Sequence, residues 1–207
     1  MKHLAFLSIF ILLLGCKKKA IEFVIEGQVI DLSFNSAQTG GSLKLYKIPA
    51  GGGGEDLVSS TFPDAIGRYV FRFERDKSEK YIIRYEREGY YNEEKIVFFS
   101  ALSTNEPFQL DFQTEAQSRI NWIISNVEPN LSSDKVVIQK LNGRTDCKDC
   151  CDNTSYEYAG PTVKDTLSCV VNGNRYVRFY VVNLSENVYL DSVYCTAFGN
   201  VNYIVNF

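Results

Sequence analysis

The 207-residue chain is nearly devoid of imidazole: its only histidine is His3. Beyond that position neither a Ser-His-Asp nor a Cys-His nucleophile can be assembled, and zinc sites that rely on histidine are excluded. Met1 is the only methionine, which removes thioether copper sites. Cations are not in excess, with 22 Lys and Arg against 25 Asp and Glu for a net charge of -3. Apart from Lys17–Lys19 there is no basic patch with interleaved aromatics, so nucleic acid is not an expected partner. No amphipathic helical period stands out. The longest apolar run, Leu4–Leu14, is far below the ~20 residues that cross a bilayer as a helix.

That run is informative in another way. Lys2 and His3 precede it, and Gly15-Cys16-Lys17-Lys18-Lys19 follows. A short positive start, an apolar stretch and a small residue before a cysteine make a cleavable export signal. Leu13-Leu14-Gly15-Cys16 resembles the lipobox of bacterial lipoproteins, with Leu14 bulkier than the residue usual two before the cysteine. The resemblance implies cleavage before Cys16, diacylglycerol on its sulfur and an acyl chain (palmitate or similar) on its new amino terminus. Several acyl chains anchor firmly, since each buried CH₂ contributes ~0.8 kcal/mol. An ordinary secretory signal with an incidental cysteine is the alternative. Lys17 stands where an aspartate commonly retains lipoproteins in the inner membrane, so the implied home is the outer membrane, periplasmic or surface-facing. Cleavage removes His3 and Lys2, leaving 21 cations against 25 anions, a net charge of -4.

The mature chain, about 190 residues, has room for one large β-domain or two small ones. Its dominant period is two. Ile21, Phe23 and Ile25 share a face, and Leu43 and Leu45 alternate with Ser42, Lys44 and Tyr46. Tyr69, Phe71 and Phe73 alternate with Arg68, Arg72 and Glu74, and Tyr81, Ile83 and Tyr85 repeat the pattern. With Glu94–Ser100 and Phe108–Phe112 these make about seven strands. After a polar joint at Gln113–Ser118, a second series covers Arg119–Asn126, Lys135–Leu141, Thr166–Asn172, Arg175–Asn183, Val188–Ala197 and Val201–Phe207. Asn172-Gly173-Asn174 and Gly199-Asn200 read as tight hairpin turns. The expected fold is all-β: two antiparallel β-sandwich domains in tandem, residues 21–113 and 119–207, after a signal peptide (1–15) and a lipidated tether (16–20). One continuous sandwich is the alternative.

The first domain resembles a known family. Gly27-Gln28-Val29-Ile30-Asp31, Leu43-Lys44-Leu45-Tyr46, Asp64-Ala65-Ile66-Gly67-Arg68-Tyr69-Val70-Phe71, and Tyr81-Ile82-Ile83 running to Gly89-Tyr90-Tyr91 are similar to carboxypeptidase regulatory-like domains. These are transthyretin-like seven-stranded sandwiches, and the likeness covers roughly residues 21–112. It implies an accessory, binding or spacing module, because the zinc peptidase such modules accompany needs histidine ligands. The second domain resembles no family.

Five cysteines besides Cys16 lie in the second domain: Cys147, Cys150, Cys151, Cys169 and Cys195. An exported chain can oxidise them. The polar loop over residues 142–161 is long enough to need tethering, so structural disulfides are the expected use, with one cysteine left over. Fifteen pairings are open; a direct Cys150–Cys151 bond would strain the backbone. A redox Cys-x-x-Cys pair normally opens a helix, and a four-thiolate metal site needs a second close pair; neither context is visible. Gly51–Gly54 is followed by Glu55-Asp56 rather than Gly-Lys-Ser/Thr, so it reads as a hairpin loop and not a phosphate cradle. Glu93-Glu94, or Asp146 with Asp149, are carboxylate pairs that acid–base hydrolysis would need, yet such neighbours are usually just solvated.

Tyr90-Tyr91 and Tyr156 with Tyr158 are candidates for sugar stacking, with one of Tyr90 and Tyr91 expected in the core because neighbours on a strand face opposite ways. Trp122 alternates with Ile124 and reads as a core anchor. Asn130-Leu131-Ser132 matches a glycosylation sequon, without meaning in a bacterial lipoprotein. The expected function is a non-enzymatic accessory or protein-binding lipoprotein without cofactor or metal, anchored in the bilayer by acylated Cys16 and holding an envelope protein partner. The alternatives are a glycan-binding lipoprotein and, third, a carboxylate hydrolase working without histidine.

Overall fold

The structure is a computed structural model that describes residues 21–127, 132–183 and 187–207. Residues 1–20, with Cys16 and the signal segment, and the sequon asparagine Asn130 lie outside the described residues. Nine strands form the first half: β1 (Glu22–Asp31), β2 (Ser36–Ala37), β3 (Ser42–Pro49), β4 (Asp56–Thr61), β5 (Arg68–Glu74), β6 (Ser78–Glu86), β7 (Glu93–Phe98), β8 (Phe108–Gln109) and β9 (Phe112–Thr114). Seven form the second: β10 (Gln117–Ser125), β11 (Lys135–Lys140), β12 (Ser155–Ala159), β13 (Lys164–Asn172), β14 (Arg175–Asn183), β15 (Asn187–Cys195) and β16 (Asn200–Asn206). Among the described residues the only helical turn is a 3₁₀ turn at Phe99–Ala101, and no helix is long and apolar enough to cross a membrane.

The chain is all-β, with two sandwiches in tandem. In the first, a sheet of β2, β1 and β5, joined by β8 and β9, faces the sheet β4-β3-β6-β7. In the second, β13-β10-β16 faces β12-β11-β14-β15. Alternation explains why these segments fold as they do. Along β5, Tyr69, Phe71 and Phe73 are buried and the residues between them exposed; along β10, Ile120, Trp122 and Ile124 are buried in the same rhythm. Each sandwich has its own apolar core, one running from Phe23 to Phe112 and the other from Ile120 to Val205. Trp122 anchors the second core, edge-to-face with Phe179 at 5.5 Å.

Several local expectations change. Asn172-Gly173-Asn174 is not a hairpin: β13 pairs with β10, whereas β14 pairs with β11 and β15. The turn therefore carries the chain from one sheet to the other, and Gly199-Asn200 does the same between β15 and β16. Both close against the domain joint, where Gly173 N–H donates to the Ala116 carbonyl and Phe198 N–H to that of Gln117. The sheets are mainly antiparallel, but β16 runs parallel to β10, and β8 and β9 run parallel to β1. The loop expected over residues 142–161 contains β12, which pairs with β11. Gly51–Gly54 lies between the paired strands β3 and β4.

The joint is gripped from both sides. Glu115 C=O accepts from Tyr91 N–H, Gln117 N–H donates to Gly89 C=O, and Ala116 N–H donates to Ser33 Oγ at 2.8 Å. Phe198 stacks on Phe34 and meets Tyr90 edge-on at 5.3 Å. Arg144 lies 4.6 Å over the Tyr91 ring and pairs with Glu93. Asp31 secures the turn bearing Phe34: its carboxylate accepts from Ser33 N–H and from Tyr90 Oη, each at 2.8 Å.

Candidate functional site

The five cysteines divide three ways. Cys147 is joined to Cys150, and Cys151 to Cys169, with Cα separations of 5.0 and 5.2 Å. Cys195 is a buried free thiol, and burial pushes its pKa up to about 11. The first bridge closes a tight turn in the 141–154 loop. The second pins that loop to β13, where Val170 N–H also donates to Asp149 C=O at 2.9 Å. Cys147-x-x-Cys150 lies in a loop and opens no helix, and no cluster of three or more His, Cys, Asp or Glu among the described residues can hold a metal ion.

The loop also supplies Arg144 to the domain seam. Its guanidinium makes two 2.9 Å bonds to Asp146, whose carboxyl is held below the usual carboxylate range, and reaches Glu93 as well. Glu94 pairs with Arg84 at 2.7 Å. Of the four carboxylates considered for acid–base work, Glu93, Glu94 and Asp146 are thus engaged by arginines, and the lowered pKa of Asp146 is the opposite of what a general acid needs. Beneath the loop Lys140 is buried, donating to Arg144 C=O at 2.7 Å, and burial lowers its pKa.

Neither aromatic pair offers a free stacking surface. Tyr90 and Tyr91 are both buried, at 6 % and 2 % exposure, because they lie in the seam rather than on a strand: Phe198 and Arg87 cover one ring, Arg144 the other. Tyr156 and Tyr158 pack partly against the second core, and Tyr156 Oη donates to Asp152 at 2.8 Å.

Three exposed tyrosines, Tyr176, Tyr180 and Tyr194, lie together on the outward face of β14 and β15. The register places Tyr176 beside Tyr194, Arg178 beside Ser192, Tyr180 beside Leu190 and Val182 beside Val188. β11 and β12 extend two of these rows, with Gln139 and Ser155 continuing from Tyr180, and Val137 and Glu157 from Val182. Val188 is 70 % exposed, and Leu190 and Tyr176 are each 59 % exposed. Contiguous apolar side chains in water mark an interaction site more often than isolated ones do. Arg178 makes no side-chain ion pair among the described residues. β15 ends its sheet, but Asp191 points inward from its middle and accepts from Tyr203 Oη. An inward charge on an edge strand opposes addition of another strand, so the face rather than the edge is the available surface. Alternation alone signals this face: Tyr176, Arg178 and Tyr180 fall on one side of β14, Val177, Phe179 and Val181 on the other.

No family model matches the sequence, and no curated protein does. Among solved structures, the TIE protein of Bacillus anthracis is 13% identical with a TM-score of 0.40, covering 90% of this chain and 34% of that one. The chain thus spans about a third of that protein's length. The shaft pilin SpaA of Lactobacillus rhamnosus GG is 7% identical with a TM-score of 0.38, covering 89% of this chain and 97% of that one. BcpA, the major pilin subunit of Bacillus cereus, is 9% identical with a TM-score of 0.33, covering 86% and 69%. Likeness at this level assigns neither family nor function.

Proposed function

We propose that the mature protein is a non-catalytic accessory lipoprotein of the cell envelope that holds a protein partner on the outward face of β14 and β15. The observation that carries this reading is the row of Tyr176, Tyr180, Val188, Leu190 and Tyr194 around Arg178, which makes no ion pair among the described residues. Tyrosine and arginine are the residue types on which interface energy concentrates. Covering Val188 and Leu190 contributes about 1–2 kcal/mol each, given that a full side-chain burial is worth ~1.5–3 kcal/mol. A partner with an apolar surface and one carboxylate opposite Arg178 fits this chemistry. A second copy of the chain does not, because a two-fold contact centred here sets Arg178 against itself.

The lipobox-like Leu13–Cys16 segment supports anchoring through Cys16 in the outer membrane, and two disulfides suit a compartment outside the cytoplasm. The resemblance of residues 21–112 to carboxypeptidase regulatory-like domains supports a spacing role for the first sandwich. Two measurements test the reading. Palmitate labelling is expected in the wild type and lost in Cys16→Ala, which should leave the membrane fraction. A photo-crosslinking residue at Ser192 in intact cells should give one discrete adduct, abolished by Leu190→Asp or Arg178→Glu. The captured protein, once purified, should bind the wild type at least tenfold more tightly than either variant. Adducts indifferent to both substitutions, or a wild-type dimer that Leu190→Asp dissolves, refute the proposed partner.

A further inference from the structure

A groove lies on the first sandwich, away from β14 and β15. On the outward face of β8, β1 and β5 the register sets Glu26 between Gln109 and Val70, and Gln28 beside Arg68. Phe62, 71 % exposed, stands at the rim, and the groove encloses about 680 Å³, within the range of small-ligand sites. Gly27 makes it possible. A Cβ there would lie 2.0 Å from the Leu110 carbonyl oxygen, so only glycine lets the 108–112 segment close against β1 and bring Gln109 and Asp111 to the groove.

Three carboxylates are held in the same manner. Glu26 Oε1 accepts from Gln109 Nε2 at 2.8 Å, and Asp111 Oδ1 from Gln28 N–H at 2.8 Å. Asp64 Oδ1 accepts from the N–H groups of Ile66 and Arg68 at 2.9 and 2.8 Å, which hold its carboxyl below the usual range. One oxygen of each is fixed by the protein, and the other takes no hydrogen bond among the described residues. The carboxylates do not converge on a common metal position. Arg68 is the groove's one guanidinium and makes no ion pair among the described residues.

We infer that this groove binds a neutral or amino-substituted saccharide. Acceptors outnumber donors, so the ligand must be rich in donors; the lining carries more negative than positive charge, so the ligand is not an acid. Hydroxyl groups both donate and accept, so a sugar can donate to the carboxylate oxygens while accepting from Arg68. A lysine or arginine side chain of a basic peptide can pair with the carboxylates but carries no acceptor for Arg68, so it satisfies only one side of the groove. Phe62 offers an apolar ring to the C–H face of a pyranose.

The groove and the β14–β15 face share no residue, so the two readings stand or fall separately. The test titrates the full mature chain carrying Cys16→Ser with chitotriose, cellotriose, maltotriose, trigalacturonate and hexalysine, following backbone amide shifts. At least one neutral or N-acetylated trisaccharide should give saturable shifts at Phe62, Arg68 and Gln109. Phe62→Ala should weaken that binding about fivefold or more, the equivalent of one aromatic contact, with unchanged thermal stability because the ring is exposed. Arg68→Gln, which removes the groove's one guanidinium, provides a second weakened variant. Trigalacturonate should not bind. Saturation by hexalysine alone, binding of trigalacturonate, or no shift with any trisaccharide overturns the inference.

Discussion

Removing the Cys151–Cys169 bridge, and separately the Cys147–Cys150 bridge, should separate their roles by magnitude. Cys151 and Cys169 are 18 residues apart, Cys147 and Cys150 only 3. If a bridge acts by restricting the unfolded chain, closing the longer loop is worth about 3 kcal/mol and the shorter about 1.5–2 kcal/mol. The longer bridge does more than shorten the unfolded chain. Cys151 and Cys169 are both buried in the second core, so Cys151→Ala/Cys169→Ala also leaves unfilled volume under the 141–154 loop. At about 2–4 °C per kcal/mol for a chain of this size, this double variant should melt about 6–12 °C below the wild type. Cys147→Ala/Cys150→Ala should melt about 3–8 °C below it. Calorimetry of the unlipidated mature chain without reductant measures both. Equal losses from the two variants, or a drop under about 2 °C for Cys151→Ala/Cys169→Ala, would refute the assignment of the longer bridge as the tie between loop and core.

Three further outcomes follow from the same structure. With its pKa pushed up to about 11, Cys195 should present only about one thiolate in a thousand at pH 8, so iodoacetamide should label it only after unfolding; rapid native labelling contradicts its burial. Lys140, whose folded pKa is depressed below that of the unfolded chain, binds its proton more weakly when folded, so its penalty is present at neutral pH and fades as pH rises toward its unfolded value. The wild type should therefore gain stability relative to Lys140→Met as pH rises from neutrality to that value in urea titrations, whereas parallel curves would show that the ammonium is not desolvated. Gly27→Ala should cost about 2–4 kcal/mol by urea unfolding, as overpacking against Leu110 C=O allows no small shift; a loss under about 1 kcal/mol means that the 108–112 segment moves freely.

Strand identity was legible wherever one face is buried, because burial of every second residue writes itself into the sequence, as along β5 and β10. Strand pairing was not. A Gly-Asn turn looks the same locally whether the next strand lies beside the last or in the facing sheet; only the distant partners of Cys169 and Phe179, Ile120 and Asp191, decide. Parallel β16 is hidden for the same reason. β12 was missed because five residues inside a polar, cysteine-rich loop give too few alternations. Cysteine spacing likewise left the pairing open. Tyr90 and Tyr91 were misread because strand alternation was applied to residues covered by the other sandwich.

The seam formed by those residues bears on how the two proposed surfaces work. One chain crossing at Glu115–Gln117 would make a hinge if only the backbone joined the sandwiches. Here the crossing residues are bonded to both sides, and two further contacts, Phe198 with Phe34 and Tyr90 and Arg144 with Glu93 and Tyr91, brace it from separate loops. Rotation about the crossing would have to break both. The disulfide-pinned loop is what presents Arg144, so oxidation in the second sandwich also stiffens its junction with the first. The two proposed surfaces, the groove beside β1 and the outward face of β14 and β15, are thereby held in one orientation.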